Sequence, residues 1–180
     1  VAVDKKWRAK GATSDGYEIN KMSGTTYLAP AGTSWEKKDW STTKTGADII
    51  SIGSYDEIIA GAAKVTVKDG SVNKITTDGD IVVEKGVTGD LNSKGSVSVE
   101  EASVGLIKNA DATGDVTVES GKVKGIETKK AAVKIYGGTI SGDVLGKTVD
   151  IDSQDDDVNT VISGKVTAKD DGAVTIDCSS

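Results

Sequence analysis

The chain has 180 residues and a formal net charge of −6, and only one of its 22 basic residues is an arginine. Because phosphate contacts rely on arginine and on positive potential, this balance argues against nucleic-acid binding. The single cysteine, Cys178, excludes an internal disulfide, and no apolar run reaches the roughly 18 residues that a membrane-spanning helix needs. The chain has 22 glycines and no phenylalanine or histidine, and its abundant valine, isoleucine and threonine favour β-strands.

Residues 1–47 are predicted to form a small N-terminal head that caps the rest of the chain. All three tryptophans lie here, and the segment 17–29 predicts a β-hairpin around Ser23-Gly24. Thr33 followed by Glu36 is a capping-box pattern, which predicts a short helix. A cap is the plain interpretation, because the end of a β-helix exposes unpaired backbone and apolar side chains.

The aromatic residues of the head allow a second interpretation. Indole and phenol rings present flat faces that stack on sugar rings, and Trp35, Trp40 and Tyr27 are the candidates for such a platform. The head is therefore either a cap alone or a cap that also binds polysaccharide.

A repeat begins after the head. The segment 48–63 is 16 residues long and resembles a degenerate first unit, with Ile59 standing 16 residues before Ile75. Clear units then start at residues 64, 80, 96, 115, 132 and 148, followed by a half-unit from 173. The second and fourth positions of every unit are apolar, and a further apolar column follows within each unit. These columns are Val65, Ile81, Val97, Val116, Val133, Val149 and Val174; Val67, Val83, Val99, Val118, Ile135, Ile151 and Ile176; and Ile75, Leu91, Ile107, Ile126, Val144 and Val166.

The repeat predicts an all-β fold, a single-stranded parallel β-helix of short coils of about 16 residues, over residues 48–180. A period of two sends the second and fourth positions to one face of a strand, and stacking in register would bury them on their neighbours. The unit 80–95 contains two pairs of apolar residues, Ile81 with Val83 and Val87 with Leu91. The alternative is an antiparallel sandwich of many short strands, which does not require each strand to repeat its neighbour's columns.

An acidic insertion interrupts the sixth unit. In this insertion and the residues just before it, the candidate metal ligands are Asp150, Asp152, Asp155, Asp157 and Asn159. Calcium takes six to eight oxygen ligands, so a crowded loop of this kind is a candidate calcium site, although the EF-hand spacing is absent. The alternative is a solvated acidic loop that needs no cofactor.

The fifth position of the units predicts a ladder of carboxylates. If the columns are right, Glu84, Glu100 and Glu119 stack about 5 Å apart on the outer surface. Carboxylates at that spacing repel one another, recruit lysines or cations, or meet a basic partner.

An enzyme is the natural rival interpretation, because pectin lyases and related enzymes are also parallel β-helices. Those coils are longer and line a groove with acidic calcium ligands and a basic residue. Here the repeats contain no arginine, and the chain has no histidine for acid–base work. The sequence therefore predicts a protein that is not an enzyme.

The segments "VTGDL" (87–91), "TISGDV" (139–144) and "SGKV" (163–166), alternating with apolar strand pairs, resemble bactofilin-type repeats and equally the β-helical repeats of bacterial surface-layer-associated proteins. Low sulfur, abundant lysine, threonine and valine and an acidic pI are also similar to surface-layer proteins. The bactofilin resemblance implies end-to-end filaments, whereas the surface-layer resemblance implies an extracellular lattice element. The tryptophan head and the acidic loop favour the second.

The predicted function is thus a non-catalytic structural or adhesive module of a bacterial cell-surface protein, S-layer-like and calcium-assisted. The expected partners are copies of itself, other surface proteins or wall polysaccharide. Two alternatives stay open, a cytoskeletal filament protein and a carbohydrate-binding module that uses the head.

Overall fold

The computed structural model describes residues 20–22, 25–27, 48–51, 53–109, 113–152 and 159–177. Every regular element in these ranges is a β-strand. The strands are β1 (Asn20–Met22), β2 (Thr25–Tyr27), β3 (Asp48–Ser51), β4 (Ser54–Tyr55), β5 (Ile58–Ile59), β6 (Val65–Val67), β7 (Ser71–Thr77), β8 (Ile81–Ser93), β9 (Val97–Lys108), β10 (Val116–Val118), β11 (Lys122–Glu127), β12 (Val133–Ile135), β13 (Gly138–Ile140), β14 (Val144–Gly146), β15 (Val149–Asp152), β16 (Thr160–Ile162), β17 (Val166–Ala168) and β18 (Val174–Asp177).

These strands wind into a parallel β-solenoid, as the repeat predicts. Six coils begin at residues 49, 65, 81, 97, 116 and 133, and a seventh begins at 149, so the six units of the sequence are coils 2 to 7. Each coil contributes to three parallel sheets, which we name A, B and C in the order in which the chain meets them. Sheet A contains β3, β6, the start of β8 and of β9, β10, β12, β15 and β18.

Sheets B and C are built in the same way from the remaining strands. Sheet B contains β4, the start of β7, the middle of β8 and of β9, the start of β11, β13 and β16. Sheet C contains β5, the ends of β7, β8, β9 and β11, β14 and β17. Since neighbouring strands of a sheet lie about 4.8 Å apart, the coils form a short rod.

The apolar columns of the sequence fill the interior. Val65, Ile81, Val116 and Val133 have no exposed surface, and the fourth-position column beside them is equally buried. The column on sheet C is buried from Ile58 through Val144. A chain with few large aromatic residues in its repeats thus makes an apolar core, because each coil packs its branched side chains against those of its neighbours.

The sequence pattern locates the first coil correctly and is wrong by one position inside it. Ile49 lies opposite Val65, so residues 48–63 do form the first coil. On sheet C, however, Ile58 lies opposite Ile75 and is buried, whereas Ile59 lies opposite Thr76. The difference arises because the turn between sheets A and B is one residue shorter in coil 1 than in coil 2.

The hairpin predicted around Ser23-Gly24 is confirmed. Strands β1 and β2 pair antiparallel, with Met22 opposite Thr25. Strand β2 also pairs in parallel with β3, so the hairpin extends sheet A beyond the first coil. The capping helix predicted from Thr33 lies outside the described residues.

The corner between sheets A and B is a glycine with positive φ in coils 2, 3, 5 and 6, and it changes which residues point inward. Gly86 occupies this corner in coil 3 with φ of 96°. A Cβ atom on Gly86 would lie 2.4 Å from the carbonyl oxygen of Gly70, the corner residue of the coil before it. After the corner Thr88 points inward, and Val87 is 56% exposed. Of the apolar pair Val87 and Leu91, only Leu91 therefore belongs to the core.

The corner between sheets C and A carries a buried column of polar side chains that the repeat analysis missed. It consists of Thr77, Ser93, Asn109 and Thr128, each two residues after the apolar column of sheet C. Their side chains donate to main-chain carbonyls: Thr77 Oγ1 to Ala63 O (2.6 Å), Ser93 Oγ to Gly79 O (2.8 Å), Asn109 Nδ2 to Gly95 O (3.0 Å) and Gly114 O (3.1 Å), and Thr128 Oγ1 to Asn109 O (3.1 Å). These hydrogen bonds fix the irregular backbone of the corner between sheets C and A.

Replacing Asn109 tests this column. Asn109→Ala removes two hydrogen bonds at a fully buried position, and we expect a loss of about 2 kcal/mol in the free energy of unfolding, measured by urea titration. Asn92→Ala is the matched control, because Asn92 lies on the outer side of sheet C and no described residue bonds its side chain. Equal losses in the two variants would contradict a structural role for the column.

The C-terminal end of the solenoid leaves part of the core uncovered. Strand β18 adds only sheet A of the next coil, and its inward residues Val174 and Ile176 are 41% and 63% exposed. Ile162 and Val166 of coil 7 are only partly buried beside them. Within the described residues, this end therefore presents apolar side chains and strand edges without a further coil.

Candidate functional site

The structure leaves the sugar platform untested. Trp35 and Trp40 lie outside the described residues, and for Tyr27 only the backbone in β2 is described. The platform stays a prediction, and quenching of tryptophan fluorescence by added glycans would test it directly.

The candidate calcium loop is described only at its two ends. Asp150 is exposed in β15, and Asp152 is partly buried at the end of that strand. Asn159, the first described residue after 152, is exposed. Asp155 and Asp157 lie outside the described residues. In the described ranges no group of three or more potential ligand side chains comes together, so the geometry neither assembles nor tests a site in the loop.

The register places the predicted carboxylate ladder as expected. Val83, Val99 and Val118 are paired across three strands of sheet A, so the residues that follow them, Glu84, Glu100 and Glu119, occupy neighbouring positions. Glu84 Oε2 lies 3.8 Å from Lys68 Nζ of the previous coil. Glu100 and Glu119 are exposed and form no ion pair with a described residue. Among the described residues, a lysine therefore offsets the negative charge of the ladder only at its first member, Glu84.

Ion pairs elsewhere on the outer surface follow one rule, namely that each joins a residue to the neighbouring coil. They include Lys74–Glu57 (2.8 Å), Lys85–Glu101 (3.1 Å), Lys94–Asp78 (2.8 Å), Lys108–Asp90 (3.9 Å) and Lys134–Asp115 (2.8 Å). Exposed pairs of this kind stabilise a fold little, but opposite charges in adjacent strands favour the native register over a shifted one.

The pKa values of two described groups, Lys134 and Tyr55, are shifted, and both shifts have structural causes. The hydrogen bond and the charge of Asp115 raise the pKa of Lys134, which keeps that ammonium charged. Burial raises the pKa of the Tyr55 phenol well above its ordinary value, and the Ser51 side chain opposes the shift. Tyr55 occupies the inward position of sheet B in coil 1, so its phenol stays neutral within the core.

A shallow groove of about 570 Å³ crosses the outer side of sheet C in coils 4 to 7. It forms because Gly125 has no side chain between Leu106 and Asp143 of the neighbouring coils. Asp143 Oδ1 already accepts a hydrogen bond from the Lys165 backbone N–H (2.8 Å). Glu127 and Asp143 are the carboxylates that line this groove.

No helix long and apolar enough to cross a membrane is present in the part of the chain that the structure describes. Comparison with protein-family models, with curated proteins and with solved structures finds no match for this chain.

Proposed function

We propose that the chain is a non-catalytic structural module of a bacterial cell-surface protein, which acts as a rigid spacer or lattice element. The observation that supports this proposal best is the regular stacking of the coils. One apolar core runs from coil 1 to coil 7, and pairs of opposite charge join neighbouring coils on the outside. In such a solenoid each coil contacts only its neighbours, so length and stiffness come from repetition.

A role at the cell surface, assisted by calcium, is the finer part of the proposal. It rests on the acidic pI of about 4.8, on the composition of the chain and on the carboxylates that no described lysine compensates. Glu100 and Glu119, at neighbouring positions of sheet A, are two such carboxylates. Divalent cations would allow acidic surfaces of neighbouring copies to approach each other.

Light scattering after size-exclusion chromatography, with and without millimolar calcium, tests the proposal. We expect oligomers or sheets in calcium that dissociate on chelation, and replacing Glu100 and Glu119 by glutamine should weaken them. Ser98→Ala, on the same sheet but without charge, is the control and should assemble like the unchanged chain. A monomer in both conditions would contradict a self-assembling lattice element.

The likeness of the repeats to bactofilin-type repeats favours a second candidate, a filament protein that associates end to end. Within the described residues, Val174 and Ile176 of β18 are exposed, and an exposed strand edge is a template for pairing with another chain. Filaments that form without calcium and disappear in Ile176→Asp, observed by negative-stain microscopy, would favour this candidate over the lattice element.

A further inference from the structure

The outer side of sheet B carries a group of side chains unlike the rest of the surface. Lys122 and Lys124 flank the buried Val123 in β11, so both point outward from the same strand. Ser103 of coil 4 and Thr139 of coil 6 lie on either side of Lys122, because the three residues are paired in register.

Ser141 completes the group, because the pairing of Val123 with Ile140 sets Lys124 beside it. The five residues Ser103, Lys122, Lys124, Thr139 and Ser141 are all exposed, and we call them the lysine–hydroxyl strip. They line a shallow groove of about 260 Å³ that spans three coils.

The two lysines of the strip have no ion-pair partner among the described residues. This distinguishes them from Lys74, Lys85 and Lys94, each of which binds a carboxylate of the neighbouring coil. When such an ammonium group meets an anion, no existing ion pair has to break first.

The strip is also free of carboxylates. From coil 3 to coil 7 the outward positions of sheet B contain only glycine, valine, serine, threonine and the two lysines: Val87, Gly89, Ser103, Gly105, Lys122, Lys124, Thr139, Ser141, Val161 and Ser163. Three carboxylates at the edges of the sheet already have partners, Glu101 with Lys85 (3.1 Å), Asp90 with the Leu106 backbone N–H (3.2 Å) and Asp143 with the Lys165 backbone N–H (2.8 Å), while Glu119 lies beyond the corner on sheet A. The strip is therefore locally cationic on a chain whose net charge is −6.

We propose that the lysine–hydroxyl strip binds a linear anionic polymer of the cell wall, one whose repeating units carry both an anionic group and hydroxyls. Two cations about 7 Å apart along β11 match charges that recur along an extended polymer. The three hydroxyl side chains donate to and accept from the polyol or sugar hydroxyls between those charges. Because the groove is open, affinity comes from several weak contacts along one chain and a free small anion is held poorly.

This inference rests on the proposed surface location and adds a ligand class to it. The anionic group is either a phosphodiester or a carboxylate, since an ammonium group pairs with both. A nucleic acid is disfavoured because the strip offers no arginine and no aromatic ring for stacking on bases.

Binding of the full chain to immobilised polymers tests the inference. The probes are poly(glycerol phosphate), polygalacturonate, neutral dextran and a single-stranded DNA oligomer. We expect binding to one or both of the first two, none to dextran and weaker binding to DNA, with affinity falling as salt rises. Phosphodiester and carboxylate sources are distinguished by which polymer binds. Absence of binding to both polyanions, or a preference for DNA, would overturn the inference.

Charge-matched variants locate the contact. Lys122→Gln with Lys124→Gln should weaken binding at least tenfold, whereas Lys129→Gln with Lys147→Gln should change it by less than about twofold. The second pair is exposed and forms no ion pair with a described residue, so both variants lose the same charge. Equal losses would show binding by overall charge and would overturn the strip as the site.

Two further readouts separate this inference from the proposed function. Inorganic phosphate at millimolar concentration should not displace the polymer, and displacement would show a small-anion site instead. The strip variant should assemble in calcium like the unchanged chain, because none of its substitutions touches sheet A. Loss of polymer binding in the strip variant, with calcium-dependent assembly intact, supports the inference. Failure of the unchanged chain to assemble would bear only on the proposed lattice function.

Discussion

Gly86→Ala is expected to lower the free energy of unfolding by about 3 kcal/mol, the largest effect we predict for a single methyl group. The residue occupies the corner between sheets A and B with φ of 96°, which residues with a Cβ rarely adopt. The new Cβ would lie 2.4 Å from the carbonyl oxygen of Gly70. That oxygen accepts the Val87 N–H (3.0 Å), so relieving the contact disturbs a hydrogen bond between coils.

Gly125→Ala is the matched control, since Gly125 also lies in the solenoid wall but has no left-handed φ. The closest atom to its added Cβ would be Leu106 Cδ2 at 3.0 Å, the tip of a side chain that can rotate away. We expect a loss below about 1 kcal/mol for this variant. Urea unfolding followed by far-ultraviolet circular dichroism compares the two. Similar urea midpoints for the two variants would mean that the positive φ of Gly86 and its close approach to Gly70 do not limit the stability of the fold.

The interior of sheets A and C was predictable from the sequence because one physical constraint acts on every unit. A strand that stacks on its neighbour must bring an apolar residue to the same place each time, so Ile81, Val97 and Val116 form a column that periodicity detects. Insertions did not hide the column, because extra residues are accommodated in the turns. Coil 4 is 19 residues long, and its extra residues fall between Ile107 and Val116.

Sheet B was not recognised although most of its inward column is apolar. Tyr55 and Thr88 interrupt a column that otherwise consists of Val72, Val104, Val123, Ile140 and Ile162, and its strands are short. The glycine corner also shifts the alternation of inward and outward residues. Ala102 takes this corner in coil 4 without a left-handed φ, which removes the glycine from the pattern there.

The polar column was missed for a different reason. Thr77, Ser93, Asn109 and Thr128 resemble ordinary turn residues, and turns are expected to face solvent. Their constant offset, two positions after Ile75, Leu91, Ile107 and Ile126, was the signal that could have found them. Of the candidate site residues, the stacking of Glu84, Glu100 and Glu119 followed from the same register that built the core. The free lysines of sheet B depend on which charges pair between coils, and spacing alone does not specify that pairing.

A comparison of Leu91→Ala with Val87→Ala tests which residues of coil 3 form the core. Leu91 has no exposed surface and packs in the column of sheet C, between Ile75 and Ile107. Truncating it removes buried methyl groups and leaves a cavity that stacked coils cannot close without losing register, so we expect a loss of about 3 kcal/mol. Val87, four residues earlier, is 56% exposed, and its truncation should cost less than about 0.5 kcal/mol.

The comparison has a second consequence for the solenoid. Since each coil contacts only its neighbours, a cavity in coil 3 weakens the interfaces with coils 2 and 4 and leaves the others intact. Hydrogen exchange should therefore accelerate first in β7, β8 and β9 of Leu91→Ala, while β12 to β15 keep their protection. A uniform increase would show that the coils unfold as a single unit. Equal stability losses in the two variants would instead mean that Val87 and Leu91 share one apolar face, contrary to the exposed position of Val87.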